Sequence, residues 1–265
     1  MSYTEATLTP DTPLTGDDPV NPLEPTPEQT PEPTPEPAPE PAPERRKGGF
    51  FAFVGRVVMF LILLRILRLP LSMIGAYLLG SVPFSYLVAR AHGVNLREVG
   101  SGNIGAGNVW RACGRRAFAL AATLDLAKGL LPTLFARRVL GLHPLGVVLV
   151  GASAMLGHTY PIFMRFKGGK AVATGGGVLL ALSPVTLIAG VLAWIGGVAA
   201  TRITAVGSLA AAAVAALTAA FQMGRGKLHG VYGIFTWLAA AGVVILHRSN
   251  IQRLIEGTEN RIEKL

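Results

Sequence analysis

From Phe50 onward, apolar residues run in blocks long enough for a helix to cross a bilayer, about 20 residues each. Short basic or glycine-rich stretches separate them. The blocks are 70–91, 117–136, 144–163, 174–200, 203–221 and 230–246. They lack the polar face that a helix on a soluble protein would show. Small residues crowd them, as in Leu-Ala-Ala-Ala-Ala-Val-Ala-Ala-Leu at 209–217, which lets helices approach closely in lipid. The pattern predicts an all-α fold, a polytopic integral membrane helix bundle.

Block 174–200 would be about 40 Å long as one helix, and Ser183-Pro184 predicts a break inside it. With that break the body has about seven transmembrane helices, some of them short. The segment 90–116 carries Arg90, Arg97, Arg111, Arg115 and Arg116 against one acid, which assigns it to the cytoplasmic side. Alternation then brings 165–170, Arg202 and the chain from His247 to that side, and leaves Arg137 and Arg138 outside. Segment 49–69, interrupted by Arg56, Arg65 and Arg68, either lies in the interface or adds a spanning helix. The main body is 70–260.

Composition divides the chain further. Of 265 residues 51% are hydrophobic and 15% charged, with a mean hydropathy of +0.47, which argues against an ordinary soluble domain. Residues 1–48 hold 13 of the 19 prolines and carry a net charge of −7, whereas 49–265 carry +16. Proline at nearly every second position and mutually repelling acids predict a disordered, extended acidic tail. The acidic start, with no apolar stretch behind it, argues against a secretory signal peptide. The body's acids are Glu98, Asp125, Glu256, Glu259 and Glu263, so no acidic metal-ligand cluster is expected. The single cysteine, Cys113, excludes an internal disulfide framework and reads as a packing residue. Bases dispersed between hydrocarbon-length blocks disfavour nucleic acid as a partner.

Asp125 and Lys128 fall mid-span, one helix face apart, where isolated charges are costly. They predict an ion pair facing the bundle interior or a wet cleft. In the 93–116 loop, glycines at 100, 102, 105 and 107 allow backbone N–H groups to converge on an anion. Ser101, Asn103 and Asn108 add polar groups there, and Arg111 adds a fork suited to phosphate. No βαβ unit surrounds these glycines, so a dinucleotide fold is rejected. A second loop, Gly157-His-Thr-Tyr-Pro-Ile-Phe-Met-Arg-Phe-Lys-Gly-Gly-Lys170, fails the nucleotide P-loop pattern, with Met164 for a glycine and Ala171 for Ser or Thr. Lys167 and Lys170 at a helix start still suit phosphate. The groups 201–208, ending in Ser208, and 247–253, with His247 and Asn250 three apart, complete four polar loops on one side. Together they predict a site for a doubly anionic ligand at the membrane surface.

Gly80-Ser-Val-Pro-Phe-Ser-Tyr with Gly100-Ser-Gly-Asn-Ile-Gly-Ala-Gly-Asn resembles the first signature of the bacterial acyl-phosphate:glycerol-3-phosphate acyltransferases. Gly157-His-Thr-Tyr-Pro-Ile-Phe with Phe166-Lys-Gly-Gly-Lys resembles the second, and His247-Arg-Ser-Asn-Ile-Gln-Arg-Leu the third. The resemblance covers about 70–260. It implies a seven-helix enzyme of the cell (inner) membrane, multi-pass, with its active site facing the cytoplasm. The implied reaction is acyl transfer from acyl phosphate to glycerol 3-phosphate, giving 1-acylglycerol 3-phosphate and phosphate, the first acylation of phospholipid synthesis. An enzyme producing acyl phosphate is the implied protein partner. Consistently, no histidine here is followed by aspartate after four intervening residues, the pattern of the other glycerol-phosphate acyltransferases.

By matching positions, Ser101, Gly102 and Asn103 are implied to cradle phosphate. Arg111 and Lys170 would bind substrate phosphate, with Lys167 and Asn108 beside them. Ser208, His247 and Asn250 would position glycerol 3-phosphate. Ser101, Arg111, Lys170 and His247 are the implied catalytic set. The family is thought to let the donor's phosphate accept the proton, so no protein nucleophile, cofactor or metal is implied. Three positions depart from the family's usual residues: Gly107 for Thr, Ala171 for Gly and Ala205 for Ser. The loops also admit two other readings, an organic-anion transporter or channel and a catalytically silent relative.

Overall fold

The computed structural model describes residues 49–262. The acidic tail expected over 1–48 lies outside the described residues. The described chain is helical throughout its regular structure: α1 Gly49–Ser81, α2 Phe84–Ala91, α3 Ala106–Leu134, α4 Pro144–Thr159, α5 Val172–Leu182, α6 Pro184–Thr201, α7 Thr204–Gly224, α8 Gly230–Leu246 and α9 Arg248–Ile255.

Among the described residues, five helical stretches are long and apolar enough to cross a membrane: Gly49–Ala91, Ala106–Val139, Pro144–Met164, Pro184–Thr201 and Thr204–Gly224. α8 joins them if it and α9, bent by 55°, make one span. α5, at 11 residues, reaches about 16 Å, half of a hydrocarbon core. The expected break at Ser183 is present. Ser183 Oγ accepts from the Thr186 N–H at 3.4 Å and caps α6, with Pro184 at its first position. At the same end, Arg137 donates to the carbonyls of Ala181 and Leu182 and closes the C-terminus of α5.

Three expected boundaries are corrected. α1 runs through Pro70 without ending, so 49–69 and the first body helix are one 33-residue element. The proline removes one hydrogen bond, a loss that a helix in lipid tolerates. Block 70–91 instead divides at Val82-Pro83, where α1 gives way to α2. The glycine-rich loop ends at Gly105 rather than at 116, so Asn108 and Arg111 stand on the first turns of α3. The chemistry-rich sequence there hid the helix start. Gly114 (φ 84°, ψ −179°) kinks α3 just beyond, where a residue with a side chain would be strained.

Small residues set the helix approaches. A Cβ on Gly177 of α5 would strike the Leu126 carbonyl of α3, and one on Gly129 of α3 the Thr174 carbonyl of α5. Gly197 of α6 lies against Gly207 of α7. These contacts hold α3, α5, α6 and α7 close, with backbone against backbone. By contrast, Phe50–Leu64 of α1 is exposed along its apolar side chains.

The predicted ion pair exists and does structural work. Lys128 Nζ lies 3.0 Å from Asp125 Oδ1, both buried. Ser85 Oγ donates to Asp125 Oδ2 at 2.5 Å, and Lys128 donates to the Val82 carbonyl at 2.8 Å. The carbonyl freed where α1 breaks is therefore answered by a charge from α3. In lipid that partner is required, because water cannot supply it.

Candidate active site

The four polar loops meet. Ser101, Arg111, Lys170, Ser208, His247 and Asn250 line one cavity of about 470 Å³, with Asn103 and Asn108 beside them. Gly102 and Lys167 fall outside its lining. Lys167 is exposed, and its carbonyl accepts from Arg97 at 2.9 Å, which ties the second loop to the first.

Asn108 is the fastener of the first loop. It is 2% exposed, and its amide donates toward the carbonyls of Leu96, Val99 and Asn103 at 3.0–3.1 Å. Its Oδ1 accepts from the Ser101 N–H at 3.4 Å and from Arg111 at 3.3 Å. That saturation leaves it little capacity for a ligand. Asn103 is likewise engaged, accepting from the Gly105 N–H at 2.9 Å in a local turn. Arg111 donates to Ser101 Oγ at 3.1 Å and to Thr204 Oγ1 at 3.2 Å. Its Nε is buried without a partner among the described residues. An unanswered guanidinium donor in a buried cavity wall calls for an anion.

Across the cavity, Lys170 donates to Asn250 Oδ1. Burial pushes the Lys170 ammonium down to about 8; Arg253 and Arg111 add to this, and Glu259 opposes it. His247 is 4% exposed. Its Nδ1 donates to the Val243 carbonyl at 2.8 Å, which leaves Nε2 as the nitrogen free to act. Ser208 Oγ donates to the Thr204 carbonyl at 2.9 Å and keeps its lone pairs.

Beyond these polar groups the lining is mostly apolar, interrupted by Thr123, Asp125, His158, Thr186 and Thr236. It follows Gly175 and Gly176 of α5, Val191 and Trp194 of α6, Ala212 of α7 and Ala239 of α8. Along α8 the lining extends from His247 to Phe235, about 18 Å of helix. One leaflet's hydrocarbon is about 15 Å deep. Trp110, Phe118 and Trp194 stack beside it, with centroids 4.5–6.0 Å apart. The cavity thus suits a chain-bearing anion.

The sequence profile described as "Glycerol-3-phosphate acyltransferase" matches residues 70–257. The chain belongs to the glycerol-3-phosphate acyltransferase family. It is 60% identical over 190 residues to the glycerol-3-phosphate acyltransferase of Roseiflexus sp. (strain RS-1), covering 72% of this chain and 93% of that one. It is 47% identical to that of Geobacter sulfurreducens, covering 71% and 94%. Two crystal structures of PlsY (YgiH), an integral membrane glycerol 3-phosphate acyltransferase, share the fold. Its glycerol 3-phosphate form matches with a TM-score of 0.67 and 38% identity, over 73% of this chain and 95% of that one. Its lysophosphatidic acid form matches with a TM-score of 0.65 and 35% identity, over the same shares.

Within this acyltransferase fold the three departures take different forms. A Cβ on Gly107 would lie 2.9 Å from Thr204 Oγ1, so the missing side chain makes room for the hydroxyl that Arg111 holds. Ala171 adopts φ 54°, the strained alternative for a residue with a Cβ. Ala205 lies 3% exposed in the cavity wall.

Thr204 and Glu259 escaped the sequence reading. Thr204 stood in a quoted loop but carried no charge to mark it. Glu259 was visible as one of five acids in a strongly basic body, a signal that only its folded neighbours explain.

Proposed function

We propose that this chain transfers a fatty acyl group from acyl phosphate to glycerol 3-phosphate in the cavity just described. The single observation that carries this reading is the cavity's two-part character. Arg111 and Lys170 share the cavity with Ser208, His247 and Asn250, and a mostly apolar stretch of about one leaflet's depth runs from them along α8.

In this reading the acyl chain lies along α6, α7 and α8. Arg111, Lys170 and Ser101 hold the donor's phosphate, with Gly102 and Asn103 shaping the turn that presents Ser101. Ser208, His247 and Asn250 orient glycerol 3-phosphate, with His247 Nε2 facing the acceptor. Lys167 and Asn108 act from behind, Asn108 by holding the loop in shape. The acceptor's C1 hydroxyl oxygen forms a bond to the acyl carbonyl carbon. The carbon–oxygen bond to phosphate breaks, and the hydroxyl proton leaves with the phosphate. The protein supplies proximity and positive charge for the departing phosphate.

The bases Arg90, Arg97, Arg115, Arg116 and Arg165 lie in the first two loops or beside them. That supports a cytoplasmic mouth in the cell (inner) membrane. A cytoplasmic mouth would receive acyl phosphate from the enzyme that makes it.

The test uses purified full-length protein in lipid. Acyl phosphate and glycerol 3-phosphate together should yield 1-acylglycerol 3-phosphate and inorganic phosphate in equal amounts, and neither substrate alone should. Absence of lipid product with both present would reject the reading.

A further inference from the structure

α9 ends at Ile255, and Gly257 (φ 71°) turns the chain back. Thr258 N–H then donates to the Arg253 carbonyl and Ile262 N–H to the Arg202 carbonyl, both at 2.8 Å. Ile262 is 2% exposed, so the returning segment is fastened at both ends. It delivers Glu259, 7% exposed, into the polar cluster behind the cavity.

Glu259 uses both oxygens there. Oε1 accepts from Asn250 Nδ2 at 2.9 Å, and Oε2 accepts from Arg253 Nε at 2.8 Å. An asparagine amide has a donor end and an acceptor end, and either can face a neighbour. A carboxylate accepts and an ammonium donates. With Glu259 on one side and Lys170 on the other, one orientation of Asn250 satisfies both. Arg111 of α3 and His247 at the α8–α9 junction line the same cavity as Lys170, and Arg253 of α9 is held by Glu259. Glu259 is the acid among them.

We propose that Glu259 is a positioning residue of the acyl-transfer site. It fixes the Asn250 amide so that its oxygen faces Lys170, and its charge holds the Lys170 and Arg111 cations together to receive phosphate. The proposal rests on the reading of Lys170 as a phosphate ligand. Glu259 touches no reacting atom; it acts through Asn250 and Lys170. Its charge also keeps Lys170 protonated against burial and against the neighbouring guanidinium groups.

The experiment compares the full-length wild type with Glu259→Gln, Arg253→Gln and Lys170→Ala, assayed with acyl phosphate and glycerol 3-phosphate. Glu259→Gln keeps the shape and removes the charge. It should raise KM for glycerol 3-phosphate about tenfold and move the alkaline limb of kcat/KM down by about one pH unit. Arg253→Gln leaves the Glu259–Asn250 bond and removes a like charge, so its alkaline limb should move up. A merely structural ion pair would lower the melting temperature in both variants and leave both limbs in place, which overturns the proposal. Limbs moving in the same direction overturn it as well. Should Glu259→Gln fail to fold, Glu259→Asp decides: it keeps the charge and shortens the reach to Asn250, so a raised KM for glycerol 3-phosphate with an unmoved alkaline limb supports the proposal, and unchanged kinetics overturn it. Full turnover in Lys170→Ala would instead defeat the reading of the site.

Discussion

Arg111 and Thr204 are joined at 3.2 Å across a gap that Gly107 leaves open. The guanidinium comes from the second turn of α3 and the hydroxyl from the first residue of α7, so one hydrogen bond ties two loops of the site together. Removing it should leave Arg111 less well aimed. A hydrogen bond to a charged group is worth about 1.5 kcal/mol or more. Thr204→Val should therefore lower kcat/KM about tenfold. Gly107→Ala should do the same, because its methyl group forces Thr204 off its rotamer. The two changes break one bond, so the double variant should lose little more than either single variant. Steady-state kinetics on the four proteins check this.

The pH dependence follows from Lys170, whose folded pKa stands near 8, below the ordinary 10.5, because of burial. In the proposed role the charged form is the one that binds phosphate, so kcat/KM should fall as pH rises through about 8 rather than above 10. A bound anion favours the charged form and should carry the limb of kcat to higher pH. Stability runs the other way. Between about 8 and 10.5 the unfolded chain binds more protons at this residue, so Lys170 makes the fold more stable as pH rises through that window. Rate and melting profiles across the window should diverge.

Ala171 sits at the start of α5 in the left-handed region, φ 54° and ψ 22°. A residue with a Cβ gives up about 1–2 kcal/mol there. Ala171→Gly should recover part of that, offset by the greater freedom of glycine in the unfolded chain. The expected net gain is under about 1 kcal/mol, read as a small rise in melting temperature.

The buried pair between Asp125 and Lys128 makes a two-sided prediction. Asp125→Ala leaves a buried ammonium without its acid, a loss of about 3–5 kcal/mol. Replacing both with neutral residues of similar size should restore only part of that, because the Val82 carbonyl then loses its Lys128 partner. Thermal melting in detergent distinguishes the single from the double change.

Much of this architecture was legible because lipid imposes a simple code. Blocks of apolar residues became helices, Ser183-Pro184 became a break, and the cost of a mid-span charge correctly paired Asp125 with Lys128. The errors arose where a local rule competed with its surroundings. Pro70 reads as a boundary, yet α1 passes through it; Pro83 reads as helix interior, yet it marks the break, with Val82 held by Lys128. The charged groups Arg111 and Lys170 were legible as residues that need a reason to sit there. Asn108 was found too, but its part as a fastener required knowing which carbonyls surround it. Thr204 and Glu259 were hidden for the same reason: their parts are defined by partners 93 and 9 residues away.

The central claim is that Arg111 and Lys170 in one cavity gather the phosphorylated substrates for acyl transfer. It is tested most directly by the turnover of Arg111→Ala and Lys170→Ala, each folded, beside the wild type under saturating substrates. Removing a charge that stabilises the departing phosphate should lower kcat by about 100-fold or more in each. Wild-type turnover in both variants would contradict the account.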